Sequence, residues 1–459
     1  MAWNWAGIRH KGLRRLAWLV WFAAVVYGVF TLWLWYLNRP PHYTYRVPAT
    51  PSPNALDDYH RAVDSISGYE KLNEIHADLF RHTLTRHSRV SSNLAKTPPP
   101  VPREELTALL QQNTEALRLI QVGLTHQYTI PTVTNETYQH FCERTRNYGL
   151  WRWKCQRLLL IRAVYCMNGD DPSLAAEALI DFIQFNRQIS LRSRLSGSES
   201  GMEALRALAL RLSVTEARGV AARLADFIHT RQSYAEALEH FRAYYLNYIT
   251  ANFRGGIPPE WTTKRWRLAT SFVHPSPTQD RGVVLGVFFA YTIPNAQVPA
   301  LADRYLSACI AAARQPGSTP VSFPAPPPDP FNYAIFGWDE PEKDRIAWAL
   351  QTFKEDALLL TVTLEGYRKV HGAYPATLRS LVTDGWLTTL PTDAFTFKDT
   401  ICYTRNGTGY TLYSRGPDGK DDGGKAIRTG NGIVGQRSIG DVVYGVNKAA
   451  EANSNEGRL

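Results

Sequence analysis

The residues best suited to chemistry are four aspartates set among glycines. Asp418, Asp421 and Asp422 lie in the run Gly416-Pro417-Asp418-Gly419-Lys420-Asp421-Asp422-Gly423-Gly424, and Asp441 follows Gly440. Calcium takes about six to eight oxygen ligands from carboxylates and main-chain carbonyls. Glycine lets a loop turn tightly enough to bring carbonyls inward. The composition fits a cation loop, and it equally describes a solvated turn.

Other candidates are weaker. His76, His82 and His87 invite a metal reading, but His76 and His87 would stand three helical turns apart, too far to share an ion. Glu136 with His140, and Glu236 with His240, have the i, i+4 spacing of surface pairs. No HExxH, GxSxG or phosphate-loop signature occurs. The five cysteines form no CxxC pair, which argues against a zinc ribbon or thioredoxin-type site. Cys142, Cys155 and Cys166 lie close enough in sequence to supply one disulfide in an exported protein, or else serve as buried thiols.

The chain that must position these groups has 459 residues, more than one core usually serves, so two or three domains are expected. Its net charge is +10, with Lys and Arg scattered singly and no recognition motif, which argues against nucleic acid. Residues 16–37 carry no charge and are long enough to cross a bilayer as a helix. Trp18 and Trp21 near one end, and Trp33, Trp35 and Tyr36 near the other, match interfacial belts. Arg9, Lys11, Arg14 and Arg15 precede the span and only Arg39 and Arg46 follow, which places the N-terminus in the cytoplasm and the bulk outside. The apolar stretch is long for a cleaved secretory signal, and an uncleaved anchor fits better.

After a spacer at 38–53, residues 54–314 read as an α-helical domain. Helices are expected at 54–66, 103–125, 150–167, 172–189, 200–212, 214–230, 234–251 and 295–314. Asp171, Ser200, Ser213 and Ser233 are the expected caps, Ser200 pairing with Glu203 in a capping box. The segment 254–281 reads as an ordered loop and 283–293 as a buried helix. A proline-rich linker covers 315–340, and 447–459 read as a disordered tail. A final unit at 341–446 opens on a long helix whose apolar stripe runs through Ile346, Leu350, Phe353, Ala357, Leu360, Leu364, Tyr367 and His371. A short helix at 376–383 and two strands around Asn406-Gly407 follow.

This last unit resembles the globular domain of the major pseudopilin of type II secretion systems and its type IV pilin-like relatives. The matching residues are Gly372-Ala373-Tyr374-Pro375, Leu378, Leu381, Leu390-Pro391-Thr392-Asp393, the run Tyr410 to Gly419, and Gly440-Asp441-Val442. The resemblance implies calcium at the loop after the last matched strand, with Asp418 and Asp441 as ligands and Leu412 and Ser414 near the ion. Asp421 and Asp422 are further candidates. The N-terminus departs from the family: Leu13, Arg14 and Arg15 follow Lys11-Gly12, and Ala17 stands where a glutamate belongs. About three hundred residues separate the span from the module.

The expectation is a multidomain α+β protein of the bacterial inner membrane, single-pass, with its bulk periplasmic. Its expected role is non-enzymatic: a scaffold or interaction protein linked to secretion or pilus machinery, with protein partners in the envelope. The alternatives are an extracytoplasmic hydrolase with its site in the helical domain, marked by a deep polar pocket, and an atypical pseudopilin subunit.

Overall fold

The computed structural model describes residues 5–37, 39, 42–84, 101–134, 136–189, 198–254, 295–314, 323–324, 341–427, 434–435 and 438–444. The sequence readings at 254–281, 283–293 and 447–459, most of the linker, and the side chains of His82 and His87 lie outside them.

The chain is mostly helical. Helix α1 is Trp5–Leu37, α2 Ala55–Ser65, α3 Tyr69–Leu84, α4 Arg103–Gln112, α5 Thr114–Thr125 and α6 Tyr138–Met167. Then come α7 Pro172–Gln188, α8 Ser198–Ala209, α9 Val214–Thr230, α10 Tyr234–Arg254, α11 Val298–Ala313, α12 Pro341–His371 and α13 Arg379–Thr383.

Helix α1 contains a 19-residue window, Arg15–Trp33, apolar enough to cross a membrane and untouched by the rest of the protein. Within that window the Thr31 hydroxyl donates back to the Tyr27 and Gly28 carbonyls at 2.9 Å, which satisfies that polar group inside the helix.

Local caps follow the sequence. The Asp171 carboxylate accepts from the Leu174 N–H at 3.0 Å, and Ser213 with Glu216 forms a reciprocal capping box. Ser233 and Glu236 make the same exchange at the start of α10. Ser200 does not cap: α8 starts at Ser198, which places Ser200 inside the helix. The expected helix at 103–125 is broken at Asn113. That side chain is buried and bonds the Ser67 N–H and C=O, 46 residues away, and the Leu109 carbonyl. The pair expected of Glu136 and His140 is replaced by a buried one: Glu136 takes Arg144 and the Asn247 amide. All five cysteines are free thiols, three of them buried.

Helix α12 is more than an amphipathic helix laid on a surface. From Gln351 to Gly366 every residue except Lys354 is buried. One side meets α8 and α9, and the other meets the sheet and α13. The sheet is antiparallel, ordered β1 (Cys402–Asn406), β2 (Gly409–Ser414) and β3 (Val442–Val443). The β1–β2 register runs from Cys402 opposite Tyr413 to Asn406 opposite Gly409. One hydrophobic cluster runs without a break from α7, α8 and α9 through α12 into Leu381, Trp386, Phe395, Tyr410 and Leu412. Packing therefore does not divide at residue 341. A second cluster gathers α2–α7, and a third joins α10 to α11.

Candidate functional site: the aspartate loop and a polar cleft

The aspartate loop is held by its own backbone. Asp441 is fully buried, and its carboxylate accepts from the Gly424 N–H at 2.7 Å and the Asp422 N–H at 3.4 Å. Asp418 accepts from Lys420 N–H at 3.2 Å and from Gly440 N–H at 3.4 Å, so Asp418 and Asp441 serve the same turn. Asp421 takes the Tyr413 hydroxyl at 3.1 Å and the Gly423 N–H at 2.9 Å. Gly416 must be glycine: its φ is 68°, and a Cβ would lie 2.6 Å from the Gly440 carbonyl oxygen.

Burial raises the Asp441 carboxyl above its usual range, and neighbouring Asp421 and Asp422 push it further, against the two N–H groups that lower it. One oxygen of Asp422 is enclosed with no hydrogen-bond partner. These features fit the donor chemistry of a hard cation. Leu412 and Ser414 do not point to one: the Leu412 carbonyl accepts from Tyr444 N–H at 2.8 Å, and the Ser414 hydroxyl donates to Asp393 at 2.7 Å. Among the described residues no three His, Cys, Asp or Glu side chains converge to hold a metal ion.

Sequence reading missed the role of Asp393. Fully buried, it accepts from Ser414 Oγ, from Phe395 N–H at 2.9 Å and from Arg415 N–H at 3.1 Å. It clasps the Leu390–Phe395 turn to the end of β2. The signal was present in the recurrence of Leu390-Pro391-Thr392-Asp393 among the matched motifs.

A second site lies in the helical body and was not foreseen. A cleft of about 710 Å³ opens between the C-terminal ends of α5, α7 and α9 and the N-terminal halves of α10 and α12. Its wall carries Arg187, Arg223 and Arg231, with Asp226, Glu236 and Asp344. Behind the wall lies a buried ion-pair node. Arg231 meets Asp356 at 2.9 Å and Glu355 at 3.4 Å, and Arg187 meets Glu355 at 3.8 Å and the Thr352 hydroxyl at 3.1 Å. Gln351 ties Glu355 to Ser198 through bonds of 3.0 and 3.1 Å. Burial pushes the Asp356 carboxyl up to about 6 against the pull of Arg231, and depresses Arg187. On the neighbouring wall, His126 Nδ1 meets buried Asp58 at 2.6 Å. Arg162 and Arg223 share buried Asp181 at 2.6 and 3.2 Å.

Comparison with family models, with curated proteins and with solved structures returns no match. The reading of this chain therefore rests on its own residues and geometry.

Proposed function

We propose that this chain is a membrane-anchored, extracytoplasmic scaffold or interaction protein of a bacterial envelope, with a pseudopilin-like module built into its helical body. The observation that carries the reading is α1: an apolar window of 19 residues with no protein covering it, on a protein whose other helices enclose cores. The basic residues Arg9, Lys11, Arg14 and Arg15 favour a cytoplasmic N-terminus. The link to secretion or pilus machinery rests on the sequence resemblance alone.

The enclosure of α12 favours a scaffold over a fibre subunit. The module's long helix is sealed between α8, α9 and the sheet, far from the anchor in sequence, which leaves no apolar face of it for a neighbouring subunit. A hydrolase is less well supported by the cleft. It is polar, but several of its charged groups are committed to partners: His126 to Asp58, Glu236 to the cap of α10, Arg223 to Asp181, and Arg231 to Glu355 and Asp356.

Alkaline washing of membranes, followed by protease treatment of intact and of permeabilised spheroplasts, tests the anchor. The protein is expected to stay in the pellet, with its body cleaved from outside and the segment before Arg15 protected. Release by the alkaline wash would reject the anchor, and protection of the body in intact spheroplasts would reject the orientation.

Calcium is part of the proposal. Asp441, Asp422 and Asp418 are the residues that would hold it, with carbonyls of the glycine-rich turn completing the shell. A bound cation would offset the burial, and the lesser push of Asp421 and Asp422, that raise Asp441, and would partner the enclosed oxygen of Asp422. Melting in saturating calcium is expected to exceed melting in chelator, by about 2.7 kcal/mol at a hundred times the dissociation constant. Asp418→Ala and Asp441→Asn should each abolish that difference. Equal melting with and without calcium would remove the ion from the proposal.

A further inference from the structure

We propose that the face of α11 around Arg304 lies against the bilayer surface and takes the head groups of anionic lipids, a placement that rests on the reading of α1 as the anchor. The length of chain between the span and its first contact with the body sets the geometry. Trp35 and Arg39 mark the far end of the span, the Arg39 guanidinium lying 4.0 Å from the Trp35 ring centroid. Tryptophan and arginine at the end of a span sit at head-group level. Four residues after Arg39, the Tyr43 hydroxyl donates to the Asp303 carboxylate of α11 at 2.6 Å. Four residues of fully extended chain reach at most about 14 Å. Whatever path the chain takes, Tyr43 and its partner on α11 stand no farther than that from head-group level.

The contact is fixed from both sides. Tyr43 stacks with Tyr45, ring centroids 6.4 Å apart, and Tyr45 packs against the cluster that joins α10 to α11. Asp303 is held in turn by Arg242 of α10. Exposure alternates along the strap that follows the span: Tyr43, Tyr45 and Val47 are half-buried, while His42, Thr44 and Arg46 are exposed. The strap is seated on α10 and α11 by one edge and presents the other.

Charge decides what this region meets. The first 56 residues contain no Asp or Glu. Beside the strap, Arg304 is exposed, and its charge acts on the Tyr43 hydroxyl. The next exposed positions of α11 are Ser307, Ala308 and Ala311, none of them acidic and all short enough to let the helix approach a flat surface. Asp303, the one carboxylate close by, is already matched by Arg242. Arg39, Arg46 and Arg304 therefore make a basic patch near head-group level, and neither the strap nor this face supplies the anion to neutralise it. Basic side chains beside a span are drawn to anionic lipid over about one Debye length, roughly 8 Å at physiological salt. Zwitterionic head groups carry no net charge to answer them.

The test uses the full-length protein in nanodiscs, one copy to a disc, with nitroxide on the lipid head groups as quencher. Cys142 and Cys402, the two cysteines that are not buried, are changed to serine. A fluorophore is then attached through Ala308→Cys or, as a reference beside the span, through His42→Cys. Both labels are expected to be quenched. The label at residue 308 should be quenched about twofold more in discs containing phosphatidylglycerol than in discs of phosphatidylcholine alone. Arg304→Glu should remove that excess, and so should 1 M salt, which shortens the screening length to about 3 Å. Quenching at residue 42 without quenching at residue 308 would overturn the proposal and leave the anchor standing. Quenching at neither would overturn the anchor and the proposal together. Equal quenching at residue 308 in neutral and anionic discs would overturn the assignment to anionic lipid. Loss of quenching at residue 308 when two copies share a disc would give the face to a second copy of the chain and overturn the proposal as well.

Discussion

Replacing Arg231 by Leu lowers stability by about 3–5 kcal/mol near neutral pH, the cost of leaving buried charge without its partner. Arg231 is the only residue that contacts both Glu355 and Asp356 among the described ion pairs, and the two acids have side chains only 1% exposed. Arg187 remains, but it reaches Glu355 alone, at 3.8 Å. The loss depends on pH in a definite direction. Asp356 in the folded protein titrates near 6, well above the value of 3.8 for an exposed aspartate. Its folded form binds the proton more tightly, so its contribution to stability is complete below about 4 and is lost as pH rises through about 6. That shift is worth on the order of 3 kcal/mol. Wild-type protein should therefore gain stability between neutral pH and pH 5, and Arg231→Leu should gain more, because protonation removes the charge that the arginine neutralised. Urea unfolding at the two pH values reads both effects. Equal losses for the variant at both values would mean that the node is held by packing rather than by charge.

How much of this was legible in the sequence follows from the reach of each interaction. Asp171 and Ser213 act within one turn of their own helices, and their spacing from Leu174 and Glu216 is visible in the chain. Asn113 breaks a helix because its amide suits Ser67, and nothing near Asn113 announces that. Charge inside the body was hidden for the same reason. The stripe from Ile346 to His371 predicted one buried face of α12: Ile346, Phe353, Ala357, Leu360 and Leu364 are buried, Leu350 and Tyr367 are half-buried, and His371 at the helix end is exposed. The opposite face reads as solvent-facing because it carries Gln351, Glu355, Asp356 and Glu365. It is buried because Arg187, Arg231, Arg368 and Tyr374 come to meet those groups, from as far as 125 residues away in the case of Arg231 and Asp356. A polar face on a helix is a sign of solvent only where no cation arrives to cover it. The aspartate loop shows the opposite limit. Its residues were named from composition and resemblance, yet Leu412 and Ser414 are absorbed by the sheet and by Asp393, and those bonds depend on register rather than on residue type.

The second large effect belongs to Phe353. Truncation to Ala should cost about 3–5 kcal/mol, because the side chain is fully buried and a cavity would remain where it stood. Its position makes the result informative beyond its size. Phe353 meets Tyr444 edge-on, with ring centroids 6.4 Å apart, and belongs to the cluster that runs from α7 to β2. Between three and four turns along the same helix, Gly366 is wedged between the two sides: a Cβ there would lie 2.5 Å from the Trp386 indole and 3.1 Å from the Ala217 methyl of α9. The C-terminal module and the α7–α9 part of the body thus share α12 as a common wall and one hydrophobic cluster, while the clusters over α2–α7 and α10–α11 lie apart from it. Hydrogen exchange should show amides of α9 and of β2 losing protection together in Phe353→Ala, in one cooperative transition. If β2 opens while α7, α8 and α9 keep their protection, the module is a separate unit resting on the body. If both open at one free energy, a cation at Asp441 would stabilise the cleft as well as its own loop, since any ligand that binds only the folded state stabilises the whole cooperative unit.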